Sequence, residues 1–163
     1  LGFHNEGHEA LFRRMAARVE KPGVVGVNIG ANKDAVDRVA DYETGVTRFA
    51  PLASYLTVNI SSPNTPGLRS MQNREALDEL LLRVMAARQA AAKTGGKAPP
   101  TFLKIAPDLT EADLDDIAAV VLDKGIEGVI DPRKRALAST WCELSCQMWR
   151  CCCCEHPCTQ VVY

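Results

Sequence analysis

Three polar residues interrupt three otherwise apolar runs. Asn28 lies in VVGVNI (24–29), Asn59 in YLTVNI (55–60) and Lys104 in TFLKI (101–105). A polar side chain inside an aliphatic strand costs free energy unless it finds a partner. One such residue is most often a satisfied core amide, and a lone lysine at a strand end is most often a snorkelling one. Three at the same level of successive strands point to a ligand. Two amides offer donors and acceptors, and a fixed cation favours negative charge beside it. The middle run leads directly into Ser61-Ser62-Pro63-Asn64-Thr65-Pro66-Gly67. Hydroxyls and amides are dense there, and each proline removes a backbone donor and biases the residue before it toward an extended shape. A loop with few conformers holds its side chains in place before a ligand arrives. A serine in such a loop serves as a proton acceptor only with help from neighbours or water.

The elements that must position these groups alternate. Glu6–Val19 carries Leu11, Met15 and Val19 at a spacing of four and predicts a helix, stopped by Lys21-Pro22-Gly23. Val24–Ile29 reads as a strand covered on both faces. Asp34–Phe49 predicts a helix, with Val36, Val39 and Ala40 on one face and Pro51 just past its end. Tyr55–Ile60 is the next strand. Asn73 suits an N-cap, and Leu77, Leu80, Leu81, Val84 and Met85 trace an amphipathic helix. KTGGKAPP (93–100) is a connection, and Thr101–Ile105 is a strand. Thr110 and Asp113 form a near capping box for a helix with Leu114, Ile117, Ala118, Val121 and Leu122 on its apolar stripe; Gly125 closes it. Ile126–Ile130 starts one more strand. Strict alternation of this kind predicts a parallel α/β sheet. Periodicity does not separate a barrel from an open doubly wound sheet, although no GxGxxG follows the first strand.

VNISSPNTPGLR (58–69) resembles the signature of the dihydroorotate dehydrogenases, most closely the class that passes electrons to a quinone. LGF (1–3), GVNIGANK (26–33) and FLKIAPDLT (102–110) are similar to further blocks of that family, in the family's order. The resemblance covers about residues 1–130 and implies a (β/α)8 TIM barrel. A complete barrel needs ~200 residues or more, so the expectation is a partial one, made of middle strands and helices. The resemblance further implies that flavin mononucleotide (FMN) is held by Asn28, Asn59 and Lys104. Dihydroorotate, or its product orotate, would meet Asn59 and Asn64. Ser62 matches the catalytic base, taking a proton from C5 of dihydroorotate while hydride leaves C6 for flavin N5. The other large class of the family uses cysteine here, so serine favours the quinone-linked class. Implied with these is a place in pyrimidine (UMP) biosynthesis.

Departures from the family pattern qualify that expectation. The Asn-Arg that would precede Leu1 is absent, Asp131-Pro132 stands where the family has Asn-Thr, and the last two strands and the N-terminal membrane-associating helices have no counterpart. The chain is therefore expected to be an inactive piece of the enzyme. The quinone site would lie outside it. Peripheral inner-membrane association would belong to the full-length protein, through its N-terminal segment, and this piece would be cytoplasmic.

Composition divides the chain at the same place. All seven cysteines fall between Cys142 and Cys158, and both tryptophans, Trp141 and Trp149, lie in the same tail. Residues 131–163 show no sustained period and no family resemblance, and read as frameshifted or disordered sequence. Cys142, Cys146, Cys151–Cys154, His156 and Cys158 are possible zinc ligands, but four consecutive cysteines do not match the spaced pairs of structural zinc sites, so no metal is assigned. Net charge is −1, which gives no reason to propose a nucleic-acid or membrane-surface partner. No apolar run approaches the ~20 residues that span a bilayer. Two rivals remain: another FMN barrel, which would need a loop cysteine that residues 1–130 lack, and a non-catalytic truncated or cysteine-rich metal-binding polypeptide.

Overall fold

The computed structural model describes residues 6–63, 65, 67–94 and 96–132, and the backbone of 159–162. Its elements alternate as the patterning predicts: α1 (Gly7–Ala16), β1 (Val25–Ile29), α2 (Arg38–Phe49), β2 (Tyr55–Asn59), a 3-10 turn (Arg69–Gln72), α3 (Arg74–Lys93), β3 (Thr101–Lys104), α4 (Glu111–Lys124), β4 (Gly128–Ile130) and β5 (Thr159–Val162).

All five strands run parallel, in the order β4-β3-β2-β1-β5. From β1 to β4 each strand is added on the same side of the one before. A doubly wound sheet reverses its order at a switch point; β1 to β4 do not, which is the winding of a barrel wall, and β5 joins on the other side of β1. The sequence reading assigned no element to the tail. The structure sets Thr159–Val162 beside β1, from Val25↔Thr159 to Asn28↔Val162.

Period-two alternation divides the strands between two faces. Val27, Ile29, Leu56, Val58 and Leu103 point outward and are buried in one core with Tyr42, Val46 and Phe49 of α2 and Leu77, Leu80, Leu81 and Val84 of α3. Gly45 lets α2 close on β1, because a Cβ there would lie 2.6 Å from Ile29 Cγ2. The inward face carries Gly26 and Asn28, then Tyr55, Thr57 and Asn59, then Phe102 and Lys104, then Gly128 and Ile130. The parallel ladder runs on past the strand ends, with Ile60 N donating to Lys104 O and Ile105 N to Ile130 O.

The helix ends show which local signals held. Thr110 and Asp113 complete their capping box, and Gly125 closes α4 at φ 68°. Asn73 occupies the N-cap of α3, but its side chain makes no capping hydrogen bond. The helix expected from Asp34 begins at Arg38, because the Asp37 side chain accepts from Ala40 N and starts it there. Val36 is left ahead of the helix, fully exposed, and does not join its apolar face. On α4 the buried stripe includes Val120, whereas Leu122 is 81% exposed.

Gly26 sets the floor of the inward face. A Cβ there would sit 2.0 Å from Cζ of Tyr55, whose ring packs edge-on against Phe102 at 5.7 Å. Gly26→Ala is expected to force that ring aside and destabilise the chain by about 1–3 kcal/mol. Urea unfolding compares the two proteins. An unchanged midpoint would show that the ring swings away freely.

Candidate active site

The sheet register gathers the polar residues. Asn28, Thr57, Phe102 and Gly128 share one level across β1 to β4; Asn59, Lys104 and Ile130 share the next level toward the C-terminal rim. Asn28, Asn59 and Lys104, three separate signals in the sequence, thus lie on one face of adjacent strands. The C-terminal rim is where α/β barrels place their chemistry.

A chain of hydrogen bonds joins the upper level. Lys104 Nζ donates to Ser61 Oγ at 2.6 Å, and Ser61 Oγ donates to Asn59 Oδ1 at 2.7 Å. The Ser61 backbone N–H reaches the same Asn59 oxygen at 3.1 Å. Asn59 Oδ1 is therefore committed, which leaves its NH2 as the group it can offer a ligand. Beneath it, the buried Tyr42 hydroxyl donates to the Asn59 carbonyl at 2.7 Å. Burial holds that phenol well above its ordinary pKa, so it remains a donor. Burial also lowers the Lys104 ammonium below the usual lysine value. Its partner is a neutral hydroxyl, and no carboxylate pairs with it among the described residues.

The lower level is unmet. Asn28 Oδ1 and Thr57 Oγ1 are buried without a hydrogen-bond partner among the described residues. Such atoms belong either to strain or to a missing partner. A cavity of about 180 Å³ opens beside Asn28, bordered by His8, Gly30, Asn32 and Asp41. Asp41 fixes that rim by accepting from Asn32 N at 2.7 Å and Asn32 Nδ2 at 3.0 Å. His8 packs edge-on against Phe49, and burial lowers its pKa. A larger cavity, about 550 Å³, lies at the opposite ends of the strands, against Val25, Ser54 and Pro100. It holds none of the residues gathered at the rim. The polar groups fit a planar ring with donors and acceptors on its edge, as the isoalloxazine of a flavin has: orphaned atoms for the ring's polar edge and a cation close by.

The loop that carries Ser62 is tied down beyond it. Gln72 accepts from Ala106 N at 2.8 Å, and Arg69 pairs with Asp108, so the loop after β2 is bound to the loop after β3. Ser70 Oγ donates to the Gly67 carbonyl at 2.6 Å; Gly67 itself adopts φ 69°, a backbone shape that favours glycine. Ser62 follows Ser61 at the head of this loop and is half-buried. Asn64, the expected substrate contact, lies outside the described residues, as do His4 and Asn5 and the cysteines of the tail.

Sequence reasoning missed Ser61, Thr57, Tyr42, Gln72 and His8. Two of these were findable. Thr57 and Ser61 stand two residues either side of Asn59, on the same face of the same strand by simple alternation. Tyr42, Gln72 and His8 act through contacts distant in the chain, which no local spacing announces.

Two outcomes follow from this geometry. Gln72→Leu orphans the buried Ala106 N–H and is expected to cost about 1–3 kcal/mol in urea unfolding; a wild-type midpoint would show the loop is held by other contacts. Lys104→Met tests the half-buried cation. Because the native pKa is lowered, the unfolded chain binds more protons in the window just below the ordinary value of 10.5, so wild-type stability rises with pH there. The Met variant should equal or exceed wild-type stability at pH 7, and lose that advantage through the window. Parallel pH profiles would show that Lys104 is solvated.

A family model for dihydroorotate dehydrogenase matches residues 1–138. The chain is 68% identical over 130 residues to the dihydroorotate dehydrogenase (quinone) of Mesorhizobium japonicum and 62% identical over 130 residues to that of Allorhizobium ampelinum, in each case 80% of this chain. It spans 35% and 36% of the length of those relatives. Among solved structures it is similar to DHODH of Eimeria tenella in complex with ferulenol, with TM-score 0.65 and 35% identity over 74% of this chain and 37% of that one. The ligand-free form from the same organism gives TM-score 0.66 and 37% identity, over 75% and 39% of the two chains. The parallel strands β1 to β4 are thus an arc of a (β/α)8 barrel, and the chain belongs to the dihydroorotate dehydrogenase family.

Proposed function

We propose that this chain forms the cofactor-facing and substrate-facing strands of a quinone-dependent dihydroorotate dehydrogenase, the enzyme that oxidises dihydroorotate to orotate in pyrimidine synthesis. The observation that carries the reading is the hydrogen-bonded run Lys104–Ser61–Asn59 at the rim where parallel strands end, one level above the Asn28 and Thr57 oxygens that have no partner among the described residues.

The family is flavin-dependent, and in this reading the flavin is FMN, which supplies the hydride acceptor when bound. Asn28, Asn59 and Lys104 hold it. Lys104, half-buried and donating to the Ser61 hydroxyl, favours a ring that carries negative charge. The Asn59 NH2 is aimed by Ser61 and also meets the substrate, with Asn64 as the second substrate amide. Ser62 takes the proton from C5 while its own proton passes to water, so the hydroxyl ends as it began. The substrate loses that proton and a hydride from C6, and a C5–C6 double bond forms. Pro63 limits the shapes open to Ser62, and Gln72 and Arg69 keep the loop from drifting. A quinone is the final electron acceptor. In this reading both its site and peripheral attachment to an inner membrane are carried outside residues 6–132. Among those residues no helix is long and apolar enough to cross a membrane.

The test uses a chimera in which the 130 matching residues of this chain replace their counterpart in the Mesorhizobium japonicum relative, restoring the relative's length. Dihydroorotate-dependent quinone reduction and the visible flavin spectrum are recorded on one sample. The chimera is expected to be yellow and active. Ser62→Ala is expected to lose about 10²–10⁴-fold in turnover while keeping its flavin. Wild-type turnover in that variant would sink the base assignment.

A further inference from the structure

We propose that Thr57 is a further flavin-contacting residue, its hydroxyl acting with the Asn28 side chain as a polar pair that the bound cofactor satisfies. This rests on the flavin site proposed above and extends it by a residue that none of the sequence signals singled out as a contact.

Asn28 and Thr57 are register partners on adjacent parallel strands, so their side chains leave the sheet on the same face, with the strands ~4.8 Å apart. Both residues are closed off from solvent, at 3% and 0% exposure. Both carry a buried oxygen with no hydrogen-bond partner among the described residues, Asn28 Oδ1 and Thr57 Oγ1. One orphaned oxygen in a sheet is an accident of packing. Two side by side, on the face that also carries Lys104 and Asn59, describe a binding edge.

The level above them sharpens the point. Asn59 Oδ1 is already taken by Ser61, and Ser61 Oγ is already taken by Lys104. Those two oxygens find partners within the chain, and the two below them find none among the described residues. Thr57 is also the expensive choice for its place. Valine has the same shape, suits a strand as well, and would leave no hydroxyl to bury. Its neighbours along β2, Leu56 and Val58, are aliphatic, as is Val27 of β1. A hydroxyl here costs the sheet stability unless a ligand bonds to it.

The chemistry of that ligand is constrained. Asn28 Oδ1 requires a donor, and the Thr57 hydroxyl both donates and accepts. A ring edge on which N–H alternates with C=O meets both requirements, and the pyrimidine end of a flavin has such an edge.

Two measurements separate this role from a merely structural one. The first is thermal unfolding of the full 163-residue chain without flavin. Thr57→Val should melt at the wild-type temperature or a few degrees above it. The second is FMN affinity, read by quenching of flavin fluorescence in the chimera with the Mesorhizobium japonicum relative. There Thr57→Val should raise the Kd about 5–10-fold, and Thr57→Ser, which keeps the hydroxyl, should stay within about 2-fold of wild type. Wild-type affinity in the valine variant would overturn the proposal and leave the flavin site standing. Equal losses in the valine and serine variants would overturn it as well, since shape and not the hydroxyl would then matter. A chimera with Thr57 intact that takes up no flavin would overturn both this inference and the function on which it rests.

Discussion

A parallel sheet whose faces are both covered has no dry place for a polar side chain without a partner. Lys104 is a sharp case although it is only half-buried, because an ammonium group loses more on leaving water than an amide does. Its position is tolerable because Ser61 meets it at 2.6 Å and hands the interaction on to Asn59. Much of the site follows from housing that one cation. The β2–β3 register places Asn59 opposite it, the continued ladder from Ile60 to Lys104 holds the two strand ends level, and the outward neighbours Leu103 and Ile105 anchor the strand in the apolar core. A hydroxyl also differs from a carboxylate as a partner. It satisfies a donor without neutralising the charge, so the positive field remains available to whatever lies above.

The ion pairs elsewhere divide by where they sit. Arg83 bridges Asp37 and Glu43 and ties α3 to α2, but the pairs are solvent-facing and worth little on their own. Arg88 and Glu127 are better enclosed, and Glu127 also accepts from Thr101 N at 2.7 Å. That cluster closes the start of β3, at the end of the sheet away from the chemistry. Arg69–Asp108 stands at the other end and joins two rim loops. Stability is concentrated below the site and positioning above it, a division the barrel imposes by sending all its strands the same way.

How much of this was legible in the sequence depends on the range of the cause. β1 to β4 were legible because VVGVNI, YLTVNI, TFLKI and IEGVI are apolar runs bounded by turn residues. α3 was legible because Leu77 to Met85 keep helical spacing without a break. The capping box of Thr110 and Asp113 was legible because it spans three residues. The start of α2 was not, since it depends on where Asp37 finds an N–H to bind. Asn28, Asn59 and Lys104 stood out as polar residues in apolar strands, but their partners did not. Ser61 is a bridge only because β3 brings Lys104 beside it, 43 residues on in the chain. Gln72 matters only because Ala106 needs an acceptor. Local pattern identified what was out of place, and tertiary contact decides what each residue is for.

Consecutive serines in one loop show why that distinction bears on mechanism. Strict alternation after Asn59 would send Ile60 outward, Ser61 inward and Ser62 outward into the helices, away from any ligand. Ile60 does go outward and is fully buried, and Ser61 goes inward. The alternation stops there because Asn59 Oδ1 captures the Ser61 N–H two residues on, an Asx turn that ends the strand. The same amide oxygen that helps seat Lys104 therefore also sets where β2 stops and how the chain enters the Pro63 turn. Asn59 governs the rim twice: through the Ser61 hydroxyl it holds against Lys104, and through the bend that releases Ser62 from the sheet. A substitution that kept its volume but lost its oxygen would disturb both, so an effect on turnover at Asn59 cannot be assigned to ligand contact alone unless the backbone at Ser61 and Ser62 is shown to be unmoved.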